Sequence, residues 1–186
     1  MDGRLRKFSA VLLCGLLAGC AGEGAAPSWV DLSADYELTC VSTASPLSLR
    51  ISTDSPEELE GQVVFQEDGC SITVGQVSSS GEGEYTIRFQ AAGGSDDSGR
   101  RSLISAAVPG QGEYSGVIRS ADLSVEPADL YTAYYSYQTS EFTETGNEFE
   151  ITVVQMQDAP SSGTPQDISL TIPELYRIDA VPGDVK

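Results

Sequence analysis

The sequence predicts an all-β domain: an antiparallel β-sandwich or barrel of about ten short strands, with at most one or two short helical turns. Three observations carry this prediction. Apolar and polar residues alternate with a period of two in segment after segment, the mark of antiparallel sheets with one dry and one wet face. Glycine-centred turn signals such as Glu67-Asp68-Gly69, Gly81-Glu82-Gly83, Gly110-Gln111-Gly112 and Thr145-Gly146-Asn147 separate those segments. No window keeps a helical period long enough to be an ordinary α-helix.

Taken in order, the first strand is Tyr36–Cys40, with Tyr36, Leu38 and Cys40 on one face. Leu47, Leu49 and Ile51 alternate with Ser48, Arg50 and Ser52 in the second. The segment Asp54–Gly61 is the one helical candidate. Ser55 can cap it, Pro56 suits its first turn, Glu57 and Glu58 suit its positive end, and Gly61 can end it. Strands follow at Gln62–Gln66, at Cys70–Val74, and at Glu84–Phe89, where Tyr85, Ile87 and Phe89 face one way. Gly93–Gly99 reads as a flexible loop. Beyond it come Ser102–Val108, Tyr114–Ile118, Asp122–Glu126 and Leu130–Gln138. Phe149, Ile151 and Val153 alternate with Glu148, Glu150 and Thr152; after a Pro/Ser/Gly-rich loop at Asp158–Gln166, Ile168, Leu170 and Ile172 make the last assigned strand. The echo of Gly83-Glu84-Tyr85 in Gly112-Glu113-Tyr114 marks two similar turn-to-strand junctions, not a duplicated domain.

Ahead of these strands stands a segment of different character. Arg4, Arg6 and Lys7 precede an apolar run from Phe8 to Leu17, then small residues Ala18 and Gly19, then Cys20. This is the three-part layout of a secretory signal. Its apolar run of about ten residues is half the roughly 20 needed to cross a bilayer. Leu17-Ala18-Gly19-Cys20 resembles the lipobox of bacterial lipoproteins. The resemblance covers residues 1–20 and implies cleavage between Gly19 and Cys20, a diacylglyceryl thioether on Cys20, and further acylation, commonly by palmitate, of the new amine. Residues 1–19 would then be the cleaved signal peptide, 20–28 a lipidated tether, and 29–186 a single acidic β-domain. One acyl chain holds a protein only marginally, at about 0.8 kcal/mol per buried CH₂, whereas two or three on one cysteine anchor it stably. The tether Ala21–Ser28 has a reach of roughly 15 Å, which keeps the domain near its membrane. Trp29 opens the apolar signal and is expected in the core ahead of the lipid interface. Ala21, lacking the aspartate that commonly retains Gram-negative lipoproteins in the inner membrane, leans toward the outer membrane in such a host.

The chain has 186 residues with 10 Lys+Arg and 28 Asp+Glu. Residues 1–19 hold three of the basic and one of the acidic residues, so the remaining 167 carry a net charge of −20. That surface opposes nucleic acid and anionic lipid head groups, and leaves solubility or a cationic partner as its use. With Cys14 in the leader and Cys20 lipidated, Cys40 and Cys70 are expected to form one disulfide in an oxidising compartment, contributing about 3–4 kcal/mol.

There is no histidine. Serine triads of the usual kind, Cys–His pairs and His-based zinc sites are thereby excluded. The glycine-rich loops lack the Lys-Ser/Thr of a phosphate-binding loop. Asp96 and Asp97 are a weak calcium candidate without the alternation of an EF-hand. Tyr131, Tyr135 and Tyr137 would share a strand face, with Tyr134 on the other, and could stack on a sugar or a peptide, or fill the core.

These features point to a non-catalytic, lipid-anchored envelope protein whose β-domain binds or serves structurally, with no cofactor beyond the lipid on Cys20. An acidic inhibitor of a cationic enzyme is the second expectation. Tyr36-x-x-x-Cys40 and Ser79-Ser80-Gly81 with Tyr85 are similar to the Ser-Gly-x-x-Tyr region of lipidated lysozyme inhibitors, although the tryptophan-rich stretch of that family is missing. A carbohydrate-binding module using the Tyr131–Tyr137 strand is the third.

Overall fold

A computed structural model describes residues 36–81, 83–109, 117–138, 146–156 and 167–183. In chain order its strands are β1 (Tyr36–Ser42), β2 (Leu47–Ser52), β3 (Val63–Glu67), β4 (Cys70–Ser79), β5 (Glu84–Ala92), β6 (Gly94–Ser95) and β7 (Arg101–Ser105). Then follow β8 (Ala107–Pro109), β9 (Val117–Ser120), β10 (Ser124–Glu126), β11 (Tyr131–Gln138), β12 (Asn147–Gln155), β13 (Asp167–Ile172) and β14 (Tyr176–Pro182). The helical segment is one 3₁₀ turn, Pro56–Leu59. Residues 1–35, which include Gly19, Cys20, the tether and Trp29, lie outside the described residues.

Strand pairing is antiparallel throughout. A five-stranded sheet runs β11-β12-β5-β4-β3, a three-stranded sheet β10-β13-β2, a four-stranded sheet β1-β14-β7-β6, and β8 pairs with β9. The three-stranded sheet borders the five-stranded one at both edges, because β10 lies beside β11 and β2 beside β3. The four-stranded sheet meets it through β7, against β4 and β5. The result is an all-β, sandwich-like fold.

The alternation places the core where the sequence pattern asks for it. Ile72, Ile87, Phe89, Phe149 and Ile151 point inward from the five-stranded sheet, Leu47, Ile51, Ile168 and Leu170 from the three-stranded one, and Leu103 and Ile178 from the four-stranded one. All of these are essentially solvent-free. Phe89 and Phe149, directly paired across β5 and β12, stack with ring centroids 4.8 Å apart.

Turn chemistry follows the expected residues. Asp68 (φ 49°) and Gly69 (φ 80°) form the two-residue connection of β3 and β4, where both central residues need positive φ. Gly61 (φ 79°) ends the 3₁₀ turn, and its N–H donates to Val74 O at 2.7 Å. Ser55 makes no side-chain cap; its own N–H donates instead to Ser52 Oγ at 3.3 Å.

Several boundaries differ from expectation. Among the described residues fourteen strands stand where about ten were expected. β14 has no counterpart among the expected strands, although Tyr176, Ile178 and Ala180 alternate inward; Pro173, Pro182 and the charged Arg177 and Asp179 dilute its apolar signal. β6 falls inside the expected loop Gly93–Gly99, drawn into the ladder by pairing with β7. Ser102–Val108 divides at Ala106 into β7 and β8. Of Tyr114–Ile118, only the last two residues are described, as the start of β9. The loop 158–166 lies outside the described residues.

The disulfide expected between Cys40 and Cys70 is not formed; both are free thiols. The expectation assumed two core-facing side chains, and only Cys70 is one. Cys70 is fully buried at the start of β4. Cys40 is exposed; β1 is the edge of the four-stranded sheet, and among the described residues no further strand covers it.

Candidate ligand-binding face

The five-stranded sheet buries one face and turns the other outward, and the outward face gathers the side chains most suited to binding. Its aromatic end is built by an irregularity in β11. Tyr131 pairs with Gln155 and Tyr135 with Ile151, but Tyr137 pairs with Glu150, so Ser136 is an extra residue opposite that glutamate. This is a β-bulge, two residues against one, and it reverses the alternation beyond it.

The consequence is a correction to the expected tyrosine row. Tyr131 and Tyr135 point inward: Tyr131 is 1% exposed, and Tyr135 meets Phe149 edge-on with centroids 6.3 Å apart. Tyr137 is turned outward and joins Tyr134, each ring half exposed. Because their partners Glu150 and Thr152 are two residues apart on β12, the two positions stand about 7 Å apart along the strand. Burial pushes the Tyr135 phenol well up, with Tyr176 and Asp122 adding to it, so that hydroxyl stays neutral. The exposed pair is therefore Tyr134 and Tyr137, one of which was expected on the opposite face. The excess residue in an otherwise alternating strand was the available signal, but alternation alone cannot say which residue bulges.

Beside the tyrosines lies a network of polar side chains. Glu150 accepts from Ser136 Oγ at 2.8 Å and from Arg88 Nη2 at 3.2 Å, using its two oxygens separately. Thr86 and Thr152 share a hydroxyl–hydroxyl hydrogen bond at 3.2 Å. Gln90 Nε2 reaches Glu148 Oε1 at 3.5 Å. A bulge in β4 at Gly75 lets the Gln90 side chain lie close over the backbone, where an added methyl would stand 3.3 Å from its amide carbon. Toward the far end of the strands this face opens into a concavity of about 310 Å³ lined by Thr73, Gln90, Ala92, Gly146, Asn147 and Glu148.

A second cleft, of about 470 Å³, lies between the β3–β4 turn and β6–β7. Its cations are already engaged. Arg100 Nη2 and Ser102 Oγ donate to Asp179 Oδ1 at 2.9 and 2.6 Å. Arg177 reaches Asp68 at 2.6 Å through Nη1 and lies 3.3 Å from Asp179 Oδ2 through Nε. Burial works to raise the Asp179 carboxyl, but the bonds from Ser102 and Arg100 and the charges of both arginines outweigh it, leaving the group below the usual carboxylate range. This cluster ties the β3–β4 turn to the four-stranded sheet.

The calcium candidate is spent on its own loop. Asp96 Oδ1 accepts from Ser98 N at 2.9 Å, from Ser98 Oγ, and from Arg100 N at 3.2 Å. The Ser98 hydroxyl is the main reason its carboxyl is held low. Among the described residues no three His, Cys, Asp or Glu side chains gather as metal ligands, and Asp97 joins no such group.

The segments likened to lysozyme inhibitors are not brought together on one surface. Tyr36 sits on β1 of the four-stranded sheet, whereas Ser79, Ser80 and Gly81 lead into β5 of the five-stranded one, with Tyr85 buried beneath it. No known protein family, curated protein or solved structure matches this chain.

Proposed function

We propose that this protein is a lipid-anchored envelope lipoprotein whose β-domain binds its ligand, without catalysis, on the outer face of the five-stranded sheet. The observation that carries the binding role is the outward pair Tyr134 and Tyr137 beside the pre-arranged Glu150–Arg88–Ser136 network. Half-exposed aromatic rings flanked by fixed polar groups are what recognition surfaces use, since a rigid ring offers contact area at little entropic cost. The anchoring rests on Leu17-Ala18-Gly19-Cys20 behind its basic and apolar leader.

Each half has its own test. Replacing Cys20 by serine is expected to release the protein from washed membranes; a variant that fractionates with membranes as before refutes the lipid anchor. For the face, a photo-reactive phenylalanine introduced at Thr132, exposed on β11 beside Tyr134, is expected to give ultraviolet-dependent adducts in cells, and the same residue at Ser48, outward on β2, is not. Equal labelling from both positions, or none from Thr132, removes the assignment of the face.

A further inference from the structure

We infer that the ligand of this face is a carbohydrate chain of uncharged or N-acetylated sugar units. This inference rests on the assignment of the face as the binding surface. It commits to glycan over protein for three reasons.

The first is the pairing of surfaces. A sugar ring has a C–H face and an equatorial rim of hydroxyls. Tyr134 and Tyr137 offer flat apolar rings for the former. Glu150, Arg88 and Thr86 lie one and two strands away at the same level, offering acceptors and donors for the latter, while the buried Thr152 holds the Thr86 hydroxyl from beneath. Glu150 is oriented beforehand by Ser136 and Arg88, so holding a ligand hydroxyl requires little further ordering of the carboxylate.

The second is extent. From Tyr137 on β11 to Thr73 on β4 is three strand spacings, about 14 Å, and the concavity at Thr73, Gln90 and Glu148 lies one pleat repeat, about 7 Å, further along. A ligand using both ends spans about 16 Å, which calls for several linked rings. The polar character persists over the whole span.

The third is charge. Outward side chains on β4, β5, β11 and β12 include Glu84, Glu148 and Glu150 against one cation, Arg88, itself paired with Glu150. Within a chain of net charge −18 this face repels sulfated, phosphorylated or uronic-acid polymers. It has too little exposed apolar area for a protein interface core, since between the two tyrosines and the concavity the side chains are Thr, Glu, Arg and Gln.

The test uses the full lipoprotein in detergent micelles, titrated by calorimetry with three hexasaccharides: an N-acetylglucosamine hexamer, a neutral glucose hexamer and a galacturonate hexamer. One of the first two is expected to bind at least about tenfold more tightly than the third. Tyr134→Ala and Tyr137→Ala are each expected to weaken that binding about tenfold, the upper end of what one aromatic contact contributes. Glu150→Gln, which keeps the rings, should weaken it severalfold, and Ser48→Ala should leave it unchanged. Silence from both neutral hexamers, tighter binding of the acidic one, or indifference to the tyrosine and Glu150 variants overturns the inference. If the probe at Thr132 cross-links in cells while both neutral hexamers stay silent, the face stands and the glycan class falls, a protein partner being then the occupant; if neither responds, both fall.

Discussion

Deleting one residue from a β-strand normally turns every side chain beyond the cut to the wrong face. Ser136 should be an exception. Tyr135 already pairs with Ile151 and Tyr137 with Glu150, adjacent residues of β12, so removing Ser136 joins two residues whose partners are already neighbours. Tyr137 stays outward, and the strand becomes regular. The loss is one exposed hydrogen bond, Ser136 Oγ to Glu150 at 2.8 Å, worth about 0.5–1 kcal/mol.

The matched comparison is deletion of Thr132, also exposed on β11. No bulge absorbs that cut. Either Tyr131 is pulled out of the core or the residues from Ala133 onward reverse, taking Tyr135 away from Phe149. Losing a buried aromatic costs about 3–5 kcal/mol. Urea unfolding followed by circular dichroism separates the two. At about 2 kcal/mol per molar for a domain of this size, deletion of Ser136 moves the midpoint by less than about 0.5 M. Deletion of Thr132 moves it by about 1.5 M or more, or prevents folding. Midpoint losses of equal size would refute the bulge, and with it the reason Tyr137 faces solvent.

Three further outcomes are expected. Gly146→Ala should destabilise by about 4 kcal/mol, because the added methyl would stand 1.4 Å from Ala91 O at φ 92°; Gly69→Ala, at φ 80° with nothing within 4 Å, should cost about 1 kcal/mol, and similar losses in a urea titration would refute the close approach of β12 to β5. Asp179, held below the usual carboxylate range, stabilises the fold fully above the ordinary aspartate value of about 3.9 and loses that contribution as pH falls through its own lower value. Asp179→Asn should therefore cost about 1–3 kcal/mol at pH 7, with the gap to the parent closing in strong acid; a gap independent of pH would show that the charge is not what holds Ser102, Arg100 and Arg177. In the folded protein a maleimide should label Cys40 and leave Cys70, buried at the start of β4, until urea is added; rapid labelling of both, or of neither, contradicts their placement.

Most of the sheet framework was legible because a half-buried strand writes its two faces into alternate residues. Leu47–Ile51, Tyr85–Phe89, Phe149–Val153 and Ile168–Ile172 each did so, and each lies in the core as read. What escaped the reading depends on partners distant in sequence. β14 gains its place by pairing with both β1 and β7. β6 is two residues long and exists only because β7 lies alongside. Cys40 shares the inward parity of Leu38, yet parity does not reveal that β1 is an edge. The tyrosine row failed for a related reason, since a bulge is a mismatch between two strands and one strand's sequence cannot display it.

That mismatch is also what makes the face usable. In a regular β11 the third tyrosine would face Phe149 and add to a core already holding Tyr131, Phe89 and Phe149, leaving Tyr134 alone outside. The extra residue keeps the inward count at two and moves the surplus ring outward, where it lies one pleat repeat from Tyr134 on β11. Ser136 also serves the surface it creates, because its hydroxyl holds one oxygen of Glu150 while Arg88 holds the other. A serine that merely filled space would leave that carboxylate free to turn. If the face is a binding site, replacing Ser136 by alanine should therefore reduce affinity severalfold with no change in the urea midpoint beyond about 0.5 M, a separation that a purely structural bulge would not produce.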